Sequence, residues 1–137
     1  MAIRFFLHHV DFNFRGKRKI KALIEKIFFD HKKTNGGINI ILTCDNDLLA
    51  INKKFLKRKY YTDIITFNYS KENKIIGELY ISIDRVKENA GIYNVTIENE
   101  LLRIIVHGIL HLLGYDDGSE KERKRMRKSE DIYLKMY

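Results

Sequence analysis

Apolar and polar positions change period several times along the chain, and each change marks an element. IRFFL at 3–7 is a short apolar run of strand length. In GKRKIKALIEKIFFDHKK, 16–33, the positions Ile20, Leu23, Ile24 and Ile27 recur at helical spacing and predict one buried helix face. TNGG at 34–37 predicts a turn, and INIILTC at 38–44 a β-branched strand. DNDLLAINKKFLKR, from Asp45, predicts a second helix, with Asp45 as a candidate N-cap and Leu48, Leu49, Ile51 and Phe55 facing inward. TDIITFNYS at 62–70 and IIGELYISI at 75–83 predict two strands joined by a KENK hairpin loop. DRVKENAGIY at 84–93 predicts a short helix, and a nearly all-apolar helix follows from about Thr96 to Leu113. SEKERKRMRKSEDIYLKMY predicts a last helix, with Ser119 and Glu122 at capping-box spacing. The fold class expected is α+β: a single domain over 1–137, with a mixed, roughly four-stranded sheet packed with about five helices.

Length and composition agree with one domain that builds its own core. The chain has 137 residues, 45% of them apolar, which suffices for a core at this size. It has no proline, so element boundaries must come from glycines, caps and changes of period. The single cysteine, Cys44, excludes an intrachain disulfide and reads as a small core residue at the end of a strand. MAIRFF does not begin a signal peptide, and no apolar run reaches the length of a membrane span. A soluble cytoplasmic protein without membrane association is therefore expected.

The apolar helix carries the candidate chemistry. With about 100° per residue and His107 at zero, His111 falls at roughly 40°, Glu100 at roughly 20° and Arg103 at roughly −40°. Leu101, Leu102, Ile105, Val106, Ile109, Leu110, Leu112 and Leu113 fill the remaining arc. Such a helix is buried over most of its circumference and keeps one narrow polar stripe. Two histidines at i and i+4 on that stripe can turn their imidazoles toward one cation, the arrangement of HxxxH zinc sites. Gly114 can end the helix in a left-handed conformation, and Tyr115, Asp116 and Asp117 follow the turn. Either aspartate could complete a three-ligand metal site at the end of the buried helix.

HGILHLLGYDD, 107–117, resembles the signature H-G-x-L-H-L-x-G-Y-D-H of the YbeY-type endoribonucleases, with a counterpart at ten of eleven positions. Upstream, IN at 51–52 and TDIITF at 62–67 are similar to that family's L-N and T-D-V-L-S-F segments, and GELYIS at 77–82 to its G-D-I-x-I-S strand. The resemblance runs in order along 38–118. It implies metal ligands at His107, His111 and Asp117, with aspartate where the family usually has histidine. Carboxylate oxygen is an accepted zinc ligand, so one zinc ion per chain is expected, although a harder ligand set also suits iron or manganese. The family's arginine after L-N aligns with Leu56, which leaves Arg58, two residues on, as the candidate catalytic replacement.

The activity implied by the resemblance is single-strand-specific, metal-dependent cleavage of ribosomal RNA, in 3′ processing of 16S rRNA and ribosome quality control. The attacking group would be metal-activated water or the RNA 2′-hydroxyl. RNA and ribosome-associated proteins are the partners expected. A net charge of +8 agrees with an anionic partner. The basic run from Lys53 to Lys59 contains no acid and leads into Tyr60 and Tyr61, so Lys57, Arg58 and Lys59 are candidate RNA contacts, with the tyrosines available for stacking. The C-terminal basic run is interrupted by Glu120, Glu122, Glu130 and Asp131 and reads as partly self-compensated, while His8, His9 and His31 read as surface residues. Two alternatives compete with the nuclease. A zinc metallopeptidase fits the ligand spacing but lacks the glutamate beside the first histidine, where Gly108 stands. A metal-stabilised, non-catalytic ribosome assembly factor fits the substituted third ligand.

Overall fold

A computed structural model describes residues 2–137, with elements in the order β1 (Ile3–Leu7), α1 (Lys17–Asp30), β2 (Thr34–Thr43), α2 (Asp45–Phe55), β3 (Ile64–Asn68), β4 (Lys74–Ser82), α3 (Ile83–Tyr93), α4 (Ile97–Leu112) and α5 (Glu120–Met136). The fold is the expected α+β domain. The sheet runs β1-β2-β4-β3; β1, β2 and β4 are parallel, and β3 returns antiparallel through a tight turn at Glu72 and Asn73. The parallel pairs need crossover connections, which α1 and α2 help to supply.

The register sorts the strand residues into two faces. Ile38, Ile40 and Leu42 of β2 stand beside Gly77, Leu79 and Ile81 of β4, and every one of them is buried. This face receives α4. A Cβ at Gly77 would lie 2.8 Å from Leu112 Cδ2, and one at Gly108 would lie 2.7 Å from Ile64 Cδ1 and 3.0 Å from Leu79 Cδ2. Glycine at both positions is what lets the helix lie directly on the sheet. On the opposite face, Ile41, Phe67 and Tyr80 stay half-exposed, and Phe55, Phe67 and Tyr80 form an edge-to-face row at 6.0 and 5.8 Å. The helices thus concentrate on one face, and α4, with Leu101, Ile104, Ile105, Val106, Ile109 and Leu110 all buried, is the centre of the core.

Three local expectations are corrected. TNGG is not a turn but the start of β2, which pairs from Thr34 with Lys74. The ladder shifts register between Asn35 and Gly37, and Gly37 takes φ 125, so the glycines serve a bulge inside the strand. Asp45 is not the N-cap of α2; Cys44 is, and Asp45 occupies the first turn, where Oδ1 accepts from Ser82 Oγ at 2.7 Å and from Arg85 Nε at 3.2 Å. Cys44 is half-buried rather than a core residue.

Candidate metal centre

The end of α4 builds the site. Thr96 caps its N-terminus by accepting from Asn99 N–H at 3.0 Å. At the C-terminus, Gly114 takes φ 98, its N–H reaches the His111 carbonyl at 3.0 Å, and Tyr115 N–H reaches the Leu110 carbonyl at 3.0 Å. These are the two bonds of a Schellman motif. They reverse the chain so that residues 115–117 fold back beside the last turns of α4. Ser119 then caps α5 by accepting from Glu122 N–H, and Arg123 Nη1 holds the Asp117 carbonyl at 3.3 Å.

That reversal brings the three expected residues together. His107 Nε2 and His111 Nε2 are 3.1 Å apart, and Asp117 Oδ2 lies 3.5 Å from the first and 3.4 Å from the second. A tetrahedral zinc with bonds of about 2.05 Å would separate its ligand atoms by about 3.3 Å. The near-equilateral triangle therefore fits such an ion, and its two-nitrogen, one-oxygen donor set suits a first-row divalent cation. Of the two aspartates, Asp117 takes this place; Asp116 is exposed and, among the described residues, makes no side-chain hydrogen bond or ion pair.

Glu130 completes the arrangement. It is 5% exposed on α5, and its Oε2 accepts from His107 Nδ1–H at 2.6 Å. This bond leaves the Nε2 lone pair of neutral His107 facing His111 and Asp117, the tautomer that can bind a metal. Arg103 bridges the surrounding carboxylates, donating to Glu100 at 2.6 and 2.9 Å and to Glu130 at 3.4 Å. Buried Glu100 is thereby a partner of Arg103, as the polar stripe allowed. Burial alone would lower the His107 pKa, but the hydrogen bond and charge of Glu130, followed by the charges of Asp117 and Asp63, hold it above its ordinary value. Half-buried Asp63, just before β3, has its pKa raised by burial, against the opposing charges of His107 and Arg103.

Several participants escaped the sequence reading. By charge pattern Glu130 reads as compensation within α5; packing of α5 against α4 carries it to His107, 23 residues away in sequence. From the same run, Arg123 and Arg127 line a hollow of about 140 Å³ with His107, Asp117, Arg103 and Glu130. His31 is corrected from a surface residue to a half-buried anchor: Nδ1–H donates to the Ile27 carbonyl at 2.7 Å, so Nε2 accepts from Tyr115 O–H at 2.9 Å. Arg125 lies 4.5 Å over the same Tyr115 ring. The residue that opens the fold-back is thus held from two sides.

The candidate RNA residues lie by a second hollow. Arg58 and Leu56 line one cleft of about 220 Å³, with Asn52, Tyr60, Thr62, Ile64, Ile65 and Thr66. Buried Asn52 shapes it, since its Nδ2 donates to the Tyr60 carbonyl at 2.9 Å and its carbonyl accepts from Arg58 N–H at 3.0 Å. Leu56 and Arg58 reach the same cleft, so the two-residue offset keeps a guanidinium there. Tyr60 is exposed at the rim, Tyr61 lies under Arg85 at 5.2 Å, and Lys57 and Lys59 are exposed outside the lining. Ile64 belongs to this cleft and also packs at Gly108, which connects it to the histidine helix. No helix among the described residues is long and apolar enough to cross a membrane.

Comparison with known proteins finds one family. The family model described as Endoribonuclease YbeY matches residues 8–137. A protein named Endoribonuclease YbeY from Flavobacterium psychrophilum is 39% identical over 132 residues, 96% of this chain and 94% of that protein. One of the same name from Cytophaga hutchinsonii is 41% identical over 136 residues, 98% of this chain and 95% of that one. Among solved structures, the solution structure of TM1509 from Thermotoga maritima is similar with a TM-score of 0.66 and 31% identity, covering 97% of this chain and 87% of that one.

Proposed function

The chain belongs to the Endoribonuclease YbeY family, and from that premise we propose that residues 1–137 form one single-strand-specific endoribonuclease domain, dependent on one zinc ion. The substrate in this reading is ribosomal RNA, with 3′ processing of 16S rRNA and ribosome quality control as the task, in the cytoplasm and with ribosome-associated partners. The triangle of His107 Nε2, His111 Nε2 and Asp117 Oδ2 is the observation that carries the metal dependence.

When bound, the cation supplies Lewis acidity at a phosphoryl oxygen and lowers the pKa of water. The chain's own residues do the rest. Glu130 Oε2 holds the proton on His107 Nδ1 and keeps Nε2 free for the metal. Arg103 pairs closely with buried Glu100 and offsets part of the charge of Glu130. That Arg123 and Arg127 line the hollow with His107 and Asp117 supports a role in receiving phosphate oxygens, and that Arg58 and Tyr60 line the other cleft supports contact there with an unpaired strand. Asp63, with its raised proton affinity, is the candidate acid–base group.

The peptidase alternative is disfavoured by packing as well as by sequence. A glutamate base would have to occupy position 108, where even a Cβ would come within 2.7 Å of Ile64. The test is single-turnover cleavage of single-stranded and structured ribosomal RNA fragments by wild type and His111→Ala, with folding checked by circular dichroism. Cleavage by the wild type alone supports the reading. Persistent cleavage by a folded His111→Ala variant assigns the activity elsewhere, and ribosome binding without cleavage by the wild type favours a non-catalytic assembly factor.

A further inference from the structure

A second constellation lies where β1 and β2 end, and the helix site does not use it. His8 Nδ1 and His9 Nδ1 approach the same atom, Asp47 Oδ2, at 3.1 and 2.8 Å. Thr43 Oγ1 donates to that oxygen as well, at 2.5 Å. Neighbouring residues of an extended chain point to opposite faces, so two consecutive imidazoles converge only if the backbone breaks between them. It breaks at His9. His8 still continues the ladder, its N–H on the Leu42 carbonyl at 2.9 Å, but His9 takes φ 60, a left-handed conformation that is costly for a residue with a Cβ. The two rings then lie 3.9 Å apart, centroid to centroid, on one side of the chain.

The meeting point is overloaded for hydrogen bonding alone. A carboxylate oxygen has two lone pairs, and three donors crowd this one. A cation would relieve the crowding: both imidazoles would turn from proton donors into ligands, and the Thr43 bond would keep the carboxylate aimed. The side chains of His8 and His9 are 60% and 64% exposed, which leaves the cluster open to solvent. Its position, at the C-terminal ends of adjacent parallel strands and the first turn of α2, is where open parallel sheets commonly receive ligands.

We propose that His8, His9 and Asp47 form a second, solvent-facing site for a first-row divalent transition cation such as Zn²⁺, clasping the end of β1 to the first turn of α2. The donor set is two imidazole nitrogens and one carboxylate oxygen, the same as at the helix site, but more exposed and, among the described residues, without a buried partner for either ring. The clasp exchanges metal more readily, and its role is to fasten the N-terminal strand rather than to cleave RNA.

Calorimetric titration of the metal-stripped full chain with Zn²⁺ alone tests this. Wild type is expected to take up about two equivalents, and His9→Asn and Asp47→Asn about one each. Asparagine tolerates the left-handed backbone, so His9→Asn removes a ligand without straining the turn. His111→Ala is also expected to keep about one equivalent, with a zinc-induced rise in Tm that the added His9→Asn change abolishes. His9→Asn should cleave RNA like the wild type. Uptake of about one equivalent by the wild type, unchanged in His9→Asn, overturns the clasp and leaves the helix site standing. Uptake that His9→Asn halves and His111→Ala leaves untouched would instead count against the helix site.

Discussion

The two histidine pairs reach a carboxylate by opposite routes. His107 and His111 stand one turn apart on α4, and helical geometry alone aims both rings to one side. His8 and His9 are consecutive at a strand end, where geometry alone would separate them, and a single left-handed residue reverses that outcome. The first pair is braced by a buried carboxylate, Glu130, and by a core helix lying on the sheet. Among the described residues, the second pair is braced by the carboxylate it would share with a cation, which Thr43 holds in place. A fixed period makes a site legible and rigid, whereas a site made by a backbone exception is neither.

Substitution of the histidines is the sharpest way to break this comparison. His111→Ala should lower RNA cleavage by more than about 100-fold, beyond the range expected for changes in the outer partners of metal ligands. His8→Ala should leave cleavage within experimental error, as measured in parallel single-turnover assays. Equal losses from both would show that the pairs are not functionally distinct.

The brace comes next. Glu130→Gln should weaken zinc affinity by about 10- to 100-fold, measured with a competing chelator. Glu130→Ala should also cost about 1–3 kcal/mol in urea unfolding, since it leaves the His107 Nδ1–H without its acceptor and takes from Arg103 its second carboxylate. The packing that positions the helix carries a smaller cost. Gly108→Ala presses its methyl group into Ile64 and Leu79 and should destabilise by about 1–3 kcal/mol. Calorimetry of that variant should show a lower Tm with metal stoichiometry retained.

Protonation separates the pairs further. His107 has its pKa raised above 6.5, against burial, by Glu130 first and then by Asp117 and Asp63. A raised folded-state value means that protonated His107 stabilises the metal-free fold; the contribution is complete below about pH 6.5 and is lost as pH rises through the folded pKa. The Tm of stripped protein should therefore fall across that window, and Glu130→Gln should flatten the profile. Zinc affinity should move the other way, rising with pH as the competing proton leaves. The smallest effects belong to exposed charges. Lys57→Ala with Lys59→Ala should reduce the log–log salt slope of binding to single-stranded RNA by about 1.4 without changing metal uptake, and Arg58→Ala should add a loss in cleavage rate. A flat response to all three would move RNA binding to Arg123 and Arg127.

Much of this protein was readable from periodicity. The helix predicted from about Thr96 to Leu113 is α4, from Ile97 to Leu112, because a wide apolar arc and a capping threonine leave few alternatives. The KENK hairpin and the Ser119 cap are likewise local features, with their partners a few residues away. So are the histidine spacing and the glycine that ends the helix. TNGG failed because a glycine pair suits a strand bulge as well as a turn, and only the β4 register distinguishes them. Asp45 failed because Ser82 and Arg85, nearly forty residues on, claim its carboxylate.

What the sequence by itself determined is the set of residues within one helix and its turn: which face is apolar, which carries His107 and His111, and where the chain can reverse. Which glutamate holds the His107 tautomer and which histidines gather at the far end of β1 were decided by tertiary structure. The physical reason is range. Helical period and capping act over three or four residues, whereas hydrogen bonds from His107 to Glu130 and from His8 and His9 to Asp47 join groups 23, 39 and 38 residues apart, brought together by burial of the apolar faces between them.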